Sequence, residues 1–479
     1  TVAVQAEVAH AQHADGVGAG IGIVGVGASL GTARDDSTAR ARLASGTRVQ
    51  AAGLQLRSEA RSDASADALA ASGGLFGAGT GAGADAASRM LSEAVVGDDV
   101  ALSLGNGQAL LQARATPRAA ADAEGWAVSA GASIGASIAN AEVASQARVQ
   151  VGDRLTVRAG NLDLRAETAQ LAIGTLPGSS SPLRLASGSA EASAASGGLL
   201  LGASATSAST RVAPSTQVLL GSGHQLTLAQ GLRAEALSAA EGRSNVSGIN
   251  AGIAAAGANL AATTLASSTA TTLGAGRISA DRVVVRSDSS DVLGAASVAG
   301  AGGLGAVQAA KVGNTASAST STQVGSELAA RVVDIDASHA TRLDGAADST
   351  TAAVAGYSGA QVRNSVANTT SAVLAPGSRV QAQAVTLDAA TAVTKTVSGD
   401  WAVQAAGGGA LSGAAGGTLT TVDNSTRAEV GDGARITTAD RGSDQAVLQV
   451  AASNRLDLAD TVKLDTGGAI AVAATESFI

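Results

Sequence analysis

Short runs in which apolar and polar residues alternate recur along the chain, each entered through a small polar turn. Residues 425–451, STRAEVGDGARITTADRGSDQAVLQVA, show the unit: polar entry, Gly-Asp-Gly turn, apolar strand, polar link, second apolar strand. Taking the first strand residue of each copy as its anchor gives Val49, Val100, Leu155, Leu226, Ile278, Leu328, Val380 and Ile436. Successive gaps are 51, 55, 71, 52, 50, 52 and 56 residues. Within a copy the alternation has period two, the mark of a half-buried strand. Leu54 and Leu56 alternate with Gln55 and Arg57, and the pairs Leu155/Val157 and Leu162/Leu164 repeat the pattern. A fixed period of this length signifies a stacked solenoid. The expected fold is all-β, a parallel β-helix, right-handed, built from repeats of about 52 residues. Each repeat is expected to make two or three coils of roughly 17–26 residues, hence a rod about 90–135 Å long at a coil spacing of about 4.8 Å.

This reading divides the chain into first coils (1–38), a repeat array (39–452) and last strand-like coils (453–479). The long gap of 71 coincides with residues 177–189, PGSSSPLRLASGS, which hold two of the five prolines and read as a projecting loop insertion. Uncharged runs at 16–33, 244–276 and 292–310 are long enough to span a membrane. Their glycines argue against that, and they are assigned to a buried type of coil. Asparagines precede the anchors by 12 to 19 residues: Asn140, Asn259, Asn314, Asn364 or Asn368, and Asn424. Stacked at coil corners they would share side-chain hydrogen bonds; alternatively they serve only as turn residues. A helix through the Ala-rich link around Ile138 is the competing local reading. Frequent Gly, Ser, Thr and Val disfavour it.

Composition sharpens the picture. A mass of 45.7 kDa over 479 residues, 61 glycines and 1% aromatics mean small side chains throughout. Such a chain cannot fill a thick core, but it lets backbones approach closely. The net charge of −8 with only three lysines, Lys311, Lys395 and Lys463, excludes the basic stripe that nucleic acid requires and a polybasic membrane patch. There is no cysteine, so disulfides and thiol chemistry are excluded; this fits an exported chain. The chain opens at Thr1 without a signal peptide, as a processed product or a piece of something longer would.

Candidate chemistry is sparse. His10 and His13 with Glu7 and Asp15 could form a metal site, but residues three apart on a strand face opposite sides. His224 and His339 stand alone. Asp98, Asp99, Asp153 and Asp432 precede strands as turn residues; the glycine-rich nonapeptide pattern that binds calcium is missing. The acids are scattered at one or two per repeat, where a polysaccharide-cleaving β-helix needs them clustered. Trp126 and Trp401 are expected to pack locally. No catalytic, metal-binding or cofactor-binding residue is therefore assigned.

The phrases VGDGARIT, VGDRLTVRAGNLDLRAE and LGAGRISADRVVVRSD, joined by Ala/Gly/Ser links, resemble the filamentous-haemagglutinin-like and leukotoxin-type adhesins exported by two-partner secretion. The likeness spans nearly the whole chain and lies in repeat style. The links are also similar to the heads of trimeric autotransporter adhesins, whose shorter repeat is not sustained. The resemblance implies a non-enzymatic, structural and adhesive shaft segment at a bacterial cell surface or in its biofilm matrix. Its partner would be an unnamed host or matrix ligand. A filament subunit associating end to end through exposed strand edges is the alternative, and a carbohydrate-active β-helix the lesser one.

Overall fold

A computed structural model describes residues 1–175, 182–397, 400–439 and 446–478. Among these residues there are strands, turns and bends and no helix. Nearly all strands join one parallel sheet; the exception is an antiparallel pair, Ala172–Thr175 with Pro182–Arg184.

The register defines the coil. Val2 lies beside Leu54, Leu54 beside Ala109 and Ala109 beside Leu162. The column continues through Leu232, Val283, Val333, Val385 and Leu448. Each step is one sequence period, so one repeat is one coil, not two or three. Nine levels stack to roughly 40 Å at about 4.8 Å each, which corrects the expected long rod.

The missing length lies across the stack. In the first coil a single strand, Val2–Leu43, runs out, reverses near Gly22 to Val24, and returns. A turn leads to a short third side, Arg48–Gln50, before Leu54 opens the next coil. Each leg of about 20 residues spans roughly 65 Å at about 3.3 Å per residue. The molecule is therefore a blade, triangular at its base and flat towards its tip.

Side-chain size follows that taper. The base, where three sides enclose space, is filled by Leu54, Leu56, Val96, Leu102, Leu111 and Leu164. The flat part is filled largely by alanines such as Ala64, Ala66, Ala84 and Ala121. At the tip a Cβ on Gly18 or Gly20 would fall on the carbonyl oxygens of Ala28 or Val26 across the blade. Only hydrogen fits there, which accounts for the glycine-rich, aromatic-poor composition. Inward serines and threonines bond across the gap: Ser58 to the Ala39 carbonyl (2.8 Å), Ser88 to Ser62 (2.8 Å) and Thr322 to Ser287 (2.9 Å). Each such bond contributes about 1 kcal/mol and satisfies a hydroxyl that a dry interior would otherwise strand.

The anchors meet on the third side. Val49, Leu102, Val157, Leu226, Ile278, Leu328, Val380 and Ile436 form one column. Val100 and Leu155 sit two residues ahead of it and are also buried. The turn before this side has a left-handed residue in successive coils: Gly46, Asp99, Arg154 and Gly223. The two that are not glycine hold each other, with Arg154 donating to both Asp99 carboxylate oxygens (2.6 and 2.8 Å). That bond, more than the nearby charge, holds the Asp99 carboxyl below its usual value. Neighbouring turns are also laced: Asp98 accepts from the Asp153 amide and Asp153 from the Ser222 amide.

Register offset rises from 53 at Ala115 and Thr168 to 69 at Ala119 and Gly188. The extra residues thus lie between Thr168 and Gly188, around the antiparallel pair. Of the expected insertion 177–189, residues 177–181 lie outside the described residues.

The taper makes a test. Gly202→Ala places a Cβ on the Ala251 carbonyl oxygen and should destabilise by about 1–3 kcal/mol in chemical denaturation. Gly79→Ala, with nothing within 4 Å of its Cβ, should change stability by no more than about 0.5 kcal/mol.

Candidate interaction surfaces

The same taper that excludes side chains from the tip turns the large ones outward. In the first coil Gly16, Gly18 and Gly20 point in while Val17, Ile21 and Ile23 point out, and Ile21 is 92% exposed. The tip is occupied in later coils by Leu75 and Phe76, Leu199 and Leu200, Ile253, Leu304 and Val354, all exposed. On the returning face Val26, Ile134, Val307, Tyr357 and Val472 belong to one column. The uncharged runs 16–33 and 292–310 wrap the outer edge of the blade, and 244–276 rounds it and follows the returning leg to the base; along each of them buried and exposed residues alternate, so none is a wholly buried coil. Single exposed apolar residues are ordinary, but a contiguous band marks a contact surface.

Away from the edge, many acids meet an arginine one coil away or on the same strand. Arg40 donates to Glu93 (2.7 Å), Arg282 to Asp334 (2.6 Å) and Arg331 to Asp281 (3.0 Å). Exposed pairs like these contribute about 0–1 kcal/mol each; other acids accept from amides, and one group of acids gathers into a column. Asp15, Asp67, Asp122 and Glu191 stack in register on the outgoing leg. Among the described residues no Lys or Arg pairs with them. His13 Nε2 lies 2.8 Å from Asp15 and its Nδ1 3.8 Å from Asp67. Glu124 and Trp126 continue the same outward face, two and four residues beyond Asp122. Burial, then the charges of Glu191, Glu124 and Asp67, push the Asp122 carboxyl up to about 6. Acids scattered along the sequence thus gather into a carboxylate column, contrary to the dispersal expected. Trp126, expected to pack locally, is 52% exposed beside that column.

The quartet of His10, His13, Glu7 and Asp15, disfavoured by strand geometry, does not form. His10 turns inward to Asp35 (3.1 Å) and Ser37 (3.0 Å). Burial raises the Asp35 carboxyl, but bonds from Ser37, Ser62 and His10 outweigh it and hold the group low. His13 stays outside, where its ring and the Asp15 and Asp67 carboxylates lie within 4.8 Å of one another, exposed. Three such groups are able to hold a divalent cation at the surface.

The other two histidines are not isolated. His224 Nδ1–H donates to the Gly221 carbonyl (2.8 Å), and its Nε2 meets Ser326 Oγ (3.1 Å) from two coils away. His339 meets Thr341 (2.7 Å) and lies 3.9 Å from Asp291, to which Ser267 donates (2.5 Å). Burial lowers His339 to about 4 and raises Asp291 to about 7, the Ser267 bond opposing the latter.

The asparagines lie within strands rather than at corners and do not form one ladder. Asn314 donates to Asn364 (3.0 Å) and Asn364 to Thr420 (3.1 Å) inside the blade. Asn259 accepts from Thr206 (2.6 Å), and Asn424 donates to Asn454 (3.2 Å). Asn140 faces outward to Asp85 (2.8 Å). Sequence reading missed a buried ion pair, Lys395 with Asp460, whose side chains have no exposure. Its one signal is a lysine at an inward position in an otherwise apolar alternation, Val385 to Lys395.

No family model matches the chain, and no curated protein or solved structure matches it. No helix among the described residues is long and apolar enough to cross a membrane.

Because the folded carboxyl of Asp122 is raised, it favours the folded chain below about pH 4, and that contribution is lost as pH rises towards 6. Asp122→Asn should therefore match the wild type near pH 4 and exceed it at pH 7 by roughly 1–2 kcal/mol, after solvent screening, in denaturation curves.

Proposed function

We propose that this chain is a non-enzymatic structural and adhesive segment of a large secreted bacterial surface protein, displaying the blade edge as its contact surface. The observation that carries this reading is the charge-free apolar edge repeated from coil to coil. The repeat style shared with filamentous adhesins supports it. Binding would be distributed along the edge, each coil adding a small apolar increment. Replacing Ile253, Leu304 and Val354 together by serine should reduce attachment of chain-coated beads to an epithelial cell layer by roughly tenfold or more. Thr227→Ala on the third side should leave attachment unchanged. Equal attachment by the edge variant would remove the edge from the function.

End-to-end assembly is the second reading, and the coil that starts at Val447 would supply its contact. Its Leu448, Val450 and Leu456 occupy columns that other coils bury, yet all three are exposed. A further coil, from more chain or from a second copy, would cover them. Electron microscopy across a concentration series separates the two: plates of constant size exclude a polymer, and growth along the stack supports it.

A carbohydrate-active reading draws on the carboxylate column beside Trp126. Strands one coil apart lie at about 4.8 Å, near the roughly 5–5.5 Å carboxyl separation of retaining glycosidases, and a raised partner suits a general acid. Release of reducing ends from a polysaccharide panel, abolished by Asp122→Asn, would establish it.

A further inference from the structure

We propose that Lys395 and Asp460 condense into an amide bond that staples two neighbouring coils. Lys395 occupies the inward column between Leu343 and Leu458, where the coils below and above carry leucine. Asp460 lies two residues beyond Leu458, so the pair bridges adjacent coils. The Lys395 Nζ is in direct contact with Asp460 Oδ1, and neither side chain has any exposure. The other ion pairs with a fully buried acid chain differ in kind: their base is an arginine or a histidine, neither of which forms this link. The remaining lysine pair, Lys463 with Asp465, is open to solvent on both sides.

The surroundings favour condensation. Two charges in a dry interior carry a desolvation cost of several kcal/mol each, which only excellent geometry offsets. Burial also draws the lysine down to about 8, with the Asp344 charge opposing, so the neutral amine is accessible. Around the carboxyl, Thr418 Oγ donates to Oδ1 (2.7 Å) and Thr420 Oγ to Oδ2 (2.8 Å). Lys395 Nζ donates to the same Thr420 oxygen (3.1 Å), as does Asn364 (3.1 Å). Thr420 is thus placed to take a proton from the amine and hand its own to the departing oxygen.

The step balances without an outside reagent. One proton first passes from the Lys395 ammonium through Thr420 Oγ to Oδ2, turning the ion pair into neutral amine and carboxylic acid; Nζ then attacks Cγ, forming the N–C bond. Thr418 steadies Oδ1, which remains as the amide carbonyl. The Cγ–Oδ2 bond breaks, and Oδ2 leaves as water carrying the carboxyl proton and one amine proton. Nothing is oxidised or reduced, and two buried charges become one neutral amide.

Intact-mass spectrometry of the denatured full chain tests this. The wild type should weigh about 18 Da less than its sequence, one water, and digestion should yield a branched peptide joining the segments around 395 and 460. Lys395→Met and Asp460→Ala should each show the full sequence mass. Asp460→Asn would lose ammonia instead of water and should reach the same final mass as the wild type. A wild-type mass equal to the sequence, or a deficit that survives Lys395→Met, overturns the proposal.

Discussion

The gap between the two legs of each coil governs this molecule. It is wide at the base, where a third side props the legs apart, and closes to backbone contact at the tip. Inward residues must shrink along that gradient from leucine through alanine to glycine. Burial at about 25 cal/mol per Å² of apolar area therefore concentrates at the base, while the flat part depends on close packing and on hydroxyls bonded across the gap. Coils vary on this gradient: later ones bury Asn250 and Gln308 near the tip, where Asn250 donates to Gln308 (3.3 Å), and Asn259, which donates to the Val298 carbonyl (2.6 Å).

The same constraint explains where reactivity and contact reside. A side chain too large for the interior has one other direction, so the most apolar stretches by sequence become the most exposed by structure. Many arginines on the outer faces meet an acid one coil away or on the same strand, and the turn carboxylates Asp98 and Asp153 accept from the next turn. Two local features carry information: an acid column, beside a tryptophan, that meets His13 but, among the described residues, no lysine or arginine, and a lysine where leucine belongs.

Much of this was legible in the chain. The anchors gave the period, and the alternation gave strands and a parallel solenoid. Val49, Leu226, Ile278, Leu328, Val380 and Ile436 do share one column. What alternation cannot reveal is how far a leg runs before it reverses. Gly22 reverses the chain while Gly16, Gly18 and Gly20 only clear the gap, and local sequence does not separate those duties. Coil length was consequently misjudged, and with it the overall shape. The exposed edge was misread for a related reason, since the run 16–33 looks like core until the closeness of the opposite leg is known. Asp15, Asp67, Asp122 and Glu191 are some 50 to 70 residues apart, and only the register brings them together. Lys395 offered a faint sign, and Asp460 none.

Register carries a genetic consequence. Each coil ends on the column where the next begins, with the same taper and the same third side. Recombination between two repeats that removes or adds one whole period would leave every remaining residue beside an equivalent neighbour. Length in such a gene can drift in quanta of about fifty codons while the cross-section is preserved. A slip of one residue would exchange the inner and outer faces of a leg, and selection would discard it. Single-residue differences fall at turns, as where the offset between the first two coils passes from 52 to 53 across Gly22 and Val24.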